Sequence, residues 1–158
     1  MRTHLALLLV SVLVVACDDS SPSAPEDVAL SFETVAQASY SGFTASQRRA
    51  VHGESDWSQV WQTLYVGRAP VPAQPAVDFD RETVLLAAAG IRNNGCYAIE
   101  ITRASLKGNG ILELEVTETV PGPACSCTEA LTQPVHLVRV AQVSIRETFV
   151  ERRFQRRC

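Results

Sequence analysis

The sequence predicts a single α+β domain: a mostly antiparallel sheet of about six strands packed on one main helix. Three observations predict it. Trp57, Val60, Trp61 and Leu64 recur at i, i+3, i+4 and i+7 within ESDWSQVWQTLY, which gives a helix one apolar face. Two segments of strict apolar/polar alternation flank Lys107-Gly108-Asn109-Gly110, which reads as a hairpin. Val84–Ala89, VLLAAA, is a continuous apolar run, as expected of a strand buried on both faces. An amphipathic helix and a half-buried sheet each leave an apolar face open, and each covers the other's.

The chain opens MRTHLALLLVSVLVVACDDS. Arg2 precedes an apolar run, Leu5–Ala16, that is too short to cross a bilayer, for which a helix needs about 20 residues. The run has the length of a signal-peptide core, so residues 1–16 are expected to be removed. Val14–Cys17, VVAC, resembles the bacterial lipobox. That resemblance implies that Cys17 is lipidated, palmitate included, and becomes the mature N-terminus. Several acyl chains would anchor the chain to a membrane without spanning it. The expected location is the cell envelope, facing the periplasm or the exterior.

Removing residues 1–16 takes Arg2 with it and leaves 142 residues with 13 basic and 17 acidic side chains, net −4. That length supports one domain with a real core. The acidic balance argues against nucleic acid as a partner. The basic cluster Arg152, Arg153, Arg156 and Arg157 reads as a solvated tail. Residues 17–33, rich in Asp, Ser and Pro at their start, read as a flexible tether, with the domain proper at 34–158.

Within the domain, the chain becomes β-like at Thr34–Tyr40. Ser55 or Asp56 is the expected helix cap. Both tryptophans lie on the helix stripe and read as core. Three prolines in residues 68–78 forbid a helix interior and predict an extended connection. Tyr97, Ile99 and Ile101 form one alternating set, and Leu112, Leu114 and Val116 the other. A two-residue turn at Gly108-Asn109 makes paired positions total about 217, which puts both sets on one face. Glu113 and Glu115 then fall on the solvent face. Val135–Val140 is a further strand. Thr148–Phe154 could form a last strand or a short helix, and strand is the preferred reading.

Several chemistries find no support. No GxSxG, HExxH, phosphate loop or EF-hand pattern is present. The two histidines beyond the signal are His52, at a strand end, and His136, inside an apolar strand; no spacing joins either to a nucleophile. Cys96, Cys125, Cys127 and a histidine would make a zinc set, but CxC is a poor knuckle and zinc–cysteine sites belong mostly to reducing compartments. A redox CxC usually comes with a thioredoxin-like βαβ pattern, which is absent. No catalytic residue, metal or cofactor is expected.

Crosslinks account for the cysteines. Five cysteines less Cys17 leave Cys96, Cys125, Cys127 and Cys158, and exported chains favour disulfides. A bond from Cys125 to Cys127 would close a very small ring. Cys96 and Cys158 therefore each take one of the pair, and the hairpin register places Cys96 opposite position ~121. Cys96–Cys125 with Cys127–Cys158 and Cys96–Cys127 with Cys125–Cys158 both remain open.

One further pattern carries functional weight. Ser41–Phe43 (SGF), a short basic strand, Asp56–Trp61 (DWSQVW), Val77–Phe79 (VDF), a buried strand, Asn94–Tyr97 (NGCY), Pro121–Cys125 (PGPAC) and Ala130–Val138 (ALTQPVHLV) follow in that order. Over about residues 35–154 this resembles the C-terminal domain of the PrcB family, named for a lipoprotein subunit of a secreted bacterial protease complex. Cys96 departs from the glycine that many members have before the Tyr. The resemblance implies a noncatalytic accessory or binding role, with an envelope or secreted protease as partner. The alternative from another class is an envelope hydrolase or protease inhibitor with an unrecognised site.

Overall fold

The computed structural model describes residues 26–143 and 146–158. The signal segment and Cys17 lie outside the described residues. Eight strands and one helix follow in the order β1 (Val28–Leu30), β2 (Phe32–Ala38), β3 (Gln47–Val51), α1 (Glu54–Leu64), β4 (Glu82–Ala88), β5 (Ala98–Leu106), β6 (Leu112–Pro121), β7 (Val135–Ala141) and β8 (Glu147–Arg156).

The α+β class and the single helix match the sequence reading, but the sheet does not. Two four-stranded sheets replace one of six strands: β2-β7-β4-β3 inside and β1-β5-β6-β8 outside. The helix covers the inner sheet and the outer sheet covers its other face, giving three layers. β4 explains why. Val84, Leu86 and Ala88 pack with Trp57, Val60, Trp61 and Leu64, while Leu85, Ala87 and Ala89 pack with Ile99, Ile101, Leu114 and Val116. A strand apolar on both faces needs a layer on each side, and one helix covers only one.

The boundary of the tether also moves. Val28–Leu30 and Phe32–Glu33, read as tether, are strand, with β1 antiparallel to β5 and β2 antiparallel to β7. Leu30 and Phe32 pack against the inter-sheet core. Asp27 ties the entry to the hairpin loop through an ion pair with Lys107 and by accepting the Gly108 N–H at 3.1 Å.

The helix begins at Glu54 with Gly53 as its cap, two to three residues before the expected Ser55 or Asp56. Asp56 instead pairs with Arg49 of β3 at 2.5 Å. Trp57, Val60, Trp61 and Leu64 are buried in the helix–sheet core. Each indole N–H also donates outward, Trp57 Nε1 to Pro75 O and Trp61 Nε1 to Pro72 O, both at 2.9 Å. The proline-rich connection is thereby strapped across the helix.

The β5–β6 hairpin carries two irregularities that cancel. Lys107 N–H donates to Ile111 O at 2.9 Å, closing a three-residue loop with Gly110 at φ 77°, a left-handed conformation that favours glycine. Paired positions therefore total 218 at Leu106↔Leu112. A bulge between Ile101 and Arg103 returns the total to 217 at Ile101↔Val116. The predicted register holds beyond the bulge and is one residue off before it. The bulge also moves the inward parity from Ile99 and Ile101 to Ala104.

Candidate functional site: the disulfide junction and the C-terminal edge

β8 runs parallel to β6, with Pro121 beside Arg156. This pairing brings Cys158 to the start of PGPACSC. Two disulfides leave that loop: Cys96–Cys127, spanning 31 positions, and Cys125–Cys158, spanning 33. Of the two pairings open from sequence, the structure has this one. Gly122 lies where the loop crosses the strand end; a Cβ there would sit 2.5 Å from the Arg156 carbonyl oxygen. The four thiols are consumed as crosslinks, and the described residues contain no group of three or more His, Cys, Asp and Glu side chains placed to hold a metal.

Beside the junction, two loops are stitched together by backbone. Arg92 and Thr132 exchange both hydrogen bonds, at 2.8 and 2.9 Å, and Gly95 N–H donates to Thr128 O at 3.1 Å. The Thr132 hydroxyl, fully buried, donates to Asn94 O at 2.9 Å. Ser41 Oγ donates to Gln133 O at 2.8 Å, and Gly42 N–H donates to Thr63 O at the helix end. The segments SGF, NGCY, PGPAC and ALTQPV, scattered in sequence, are thus linked into one connected region.

Charge at this end is arranged inward. Glu118 extends the inward series Leu112, Leu114, Val116 of β6, and its side chain is mostly buried. It meets Arg92 at 2.7 Å, with Arg153 of β8 at 3.8 Å. The Arg92 guanidinium also lies 5.7 Å from the centre of the Tyr97 ring. The sequence reading noticed Glu113 and Glu115 but missed Glu118. Its parity was the available signal: an acid on the inward side of an apolar alternation requires a partner. Along β8, Glu151 pairs with Arg48 of β3 at 2.8 Å, and Glu147 lies 3.9 Å from His52.

The histidines do not converge. His52 is half exposed at the end of β3. His136 is buried on β7, and both ring nitrogens are engaged. Nδ1 accepts the Ile101 N–H at 2.9 Å, so the proton sits on Nε2, 3.0 Å from Thr34 Oγ1. Burial pushes its pKa below the usual value, against a smaller upward pull from Glu100. A neutral ring with neither nitrogen open is a structural element, not a free base.

No helix among the described residues is long and apolar enough to cross a membrane. Residues 83–141 match the family model described as PrcB C-terminal. The matched stretch runs from β4 to β7 and includes Cys96, Cys125, Cys127 and His136. No curated protein and no solved structure matched the chain.

Proposed function

We propose, on the premise of the PrcB C-terminal match, that this chain is a lipid-anchored, noncatalytic binding module of the bacterial cell envelope, an accessory or assembly subunit of an exported protease. The observation that carries the reading is the match over β4–β7. The two disulfides support it, because such bonds persist in oxidising compartments outside the cytoplasm. The engagement of both His136 nitrogens supports a framework role for that histidine.

Affinity capture of the full chain from its own membranes, with the eluate identified by mass spectrometry, tests the proposal. Co-purification of an exported protease is the expected result. Repeated captures that return no envelope protease would sink it. Hydrolase activity in the purified chain, abolished by alanine at His52, would replace it with an enzymatic reading.

A further inference from the structure

The four sheet edges of this molecule are not alike. β1 has three residues, β3 has five, and β2 is broken by a bulge between Thr34 and Ala36. These are the usual ways an edge is closed to other strands. β8 is different. It has ten residues, pairs with β6 through all ten without a register shift, and ends the outer sheet. Among the described residues, no backbone hydrogen bond reaches its outer side.

Burial holds β8 only at its start, where Phe149 packs against the inter-sheet core. Glu151–Cys158 are exposed throughout. The β6 ladder and the Cys125–Cys158 bond hold it, the latter pinning its far end. An exposed strand fixed in advance has already lost most of the freedom that a docking peptide would otherwise have to remove.

The charge on this edge selects a partner. Of the two acids of β8, Glu151 is paired inside the molecule with Arg48, and Glu147 lies 3.9 Å from His52. Arg153 stands 3.8 Å from a Glu118 that Arg92 already holds at 2.7 Å, and Arg152 is paired with Glu115 at 3.2 Å. Arg156 and Arg157 have no carboxylate partner among the described residues. On the solvent face the row reads Arg152, Phe154, Arg156, and Phe154 is 57% exposed. A second copy fits poorly. Antiparallel registers that keep the faces aligned and centre on Glu151 or Arg153 set that residue against its own copy. The one centred on Arg152 opposes two arginines while crossing Glu151 with an Arg153 that Glu118 already engages.

We propose that the outer edge of β8 docks an extended acidic segment of a partner protein by strand addition. The segment would place acids beside Arg152 and Arg156 and an apolar side chain beside Phe154. Backbone bonds supply the attachment and the alternating side chains the choice of partner. The proposal rests on the accessory-module reading and names the chemistry of its partner.

The ladder indicates where to cut. Leu112 N–H donates to Arg146 O at 3.0 Å, so even-numbered β8 residues turn their backbone groups toward β6. Odd-numbered residues, Gln155 among them, turn theirs outward. Gln155→Pro removes an outward N–H without touching the β6 ladder, and edge strands tolerate such a proline.

The probe is a labelled peptide of β8's length with glutamate, valine and glutamate at successive alternate positions and threonine between, titrated by anisotropy against the full chain in detergent. Binding is expected, and lysine in place of glutamate should abolish it. Gln155→Pro should weaken it roughly tenfold, Gln155→Ala should not, and Arg156→Glu should weaken it while flattening its salt dependence. Equal binding of the lysine peptide, or of Gln155→Pro with its disulfides intact, would overturn the proposal. So would dimerisation that Gln155→Pro abolishes, or binding of the chain's arginines to phosphatidylglycerol vesicles without peptide binding. Protease capture that survives Gln155→Pro would overturn the edge site and leave the accessory function standing.

Discussion

His136 Nδ1 accepts the Ile101 backbone N–H at 2.9 Å, a bond that ties β7 of the inner sheet to β5 of the outer one. β1 pairs β5 only over Ala104–Leu106, so it does not reach Ile101. The histidine occupies that gap, and the Thr34 hydroxyl fixes its ring from β2. Protonating Nδ1 would set one N–H against another.

Stability should therefore fall with acid in a defined window. The folded-state pKa of His136 lies below the usual value of 6.5, chiefly through burial. The unfolded chain then binds more protons than the folded one just below pH 6.5. Stabilisation by the neutral ring is fully present above 6.5 and is lost as pH drops toward the folded pKa. Asp27, whose pKa is held down by Lys107, acts only lower, below about 4. Urea midpoints between pH 8 and 4.5 should decline in the wild type. In His136→Leu they should be lower at pH 8, since Ile101 N–H loses its acceptor, and nearly flat across the window. A wild-type profile as flat as the variant's would remove the argument.

The tryptophan strap separates packing from hydrogen bonding. Trp57→Phe keeps an aromatic ring but loses the bond to Pro75 O, at a cost of about 1–3 kcal/mol. Trp57→Ala, at a fully buried position, should cost about 3–5 kcal/mol. Trp61→Phe releases Pro72 and should speed proteolysis within residues 68–78 before the global transition is affected. Equal losses for the Phe and Ala variants at Trp57 would mean that the indole N–H contributes nothing.

Much of this molecule was legible in the chain, and the failures have physical causes. The helix stripe was readable because i, i+3, i+4, i+7 admits few other structures. The run Val84–Ala89 was readable as buried on both faces, and its consequence, a layer on each side, was the missed clue to two sheets. Val28, Leu30 and Phe32 alternate as a strand entering the domain should, but Ser and Pro just before them marked the whole segment as tether. The parallel partner of β8 left no trace, because side-chain pattern specifies a strand's buried face and not its neighbour. The Cys125–Cys158 bond depends on that pairing, so the connectivity remained open for the same reason.

Anchoring by Cys17 is tested apart from the fold. Cys17→Ser should abolish incorporation of labelled palmitate and move the protein from the membrane to the soluble fraction. The domain beginning at β1 should keep its melting temperature, because ten residues separate Cys17 from the first strand. Unchanged membrane retention with no acyl label in the wild type would contradict lipidation.

The connectivity makes the sharpest demand on the junction. Mass should rise by four hydrogen atoms when a reductant opens both bonds, and unreduced digests should contain Cys96 joined to Cys127 and Cys125 to Cys158. Each bond closes a loop of similar length, so each removes a similar share of unfolded-state freedom, about 2–4 kcal/mol. Their local effects should differ. Cys96→Ser with Cys127→Ser loosens two loops that Arg92, Thr132, Asn94 and Gly95 still hold by hydrogen bonds, so amide exchange there should change little. Cys125→Ser with Cys158→Ser releases the end of an exposed strand with far less to hold it. Exchange should then rise along Glu151–Arg156 and stay low at Leu112–Val116, which the core covers on one face. A uniform rise in exchange over both strands would show that the bond stabilises the sheet as a whole and does not act as a local pin on β8.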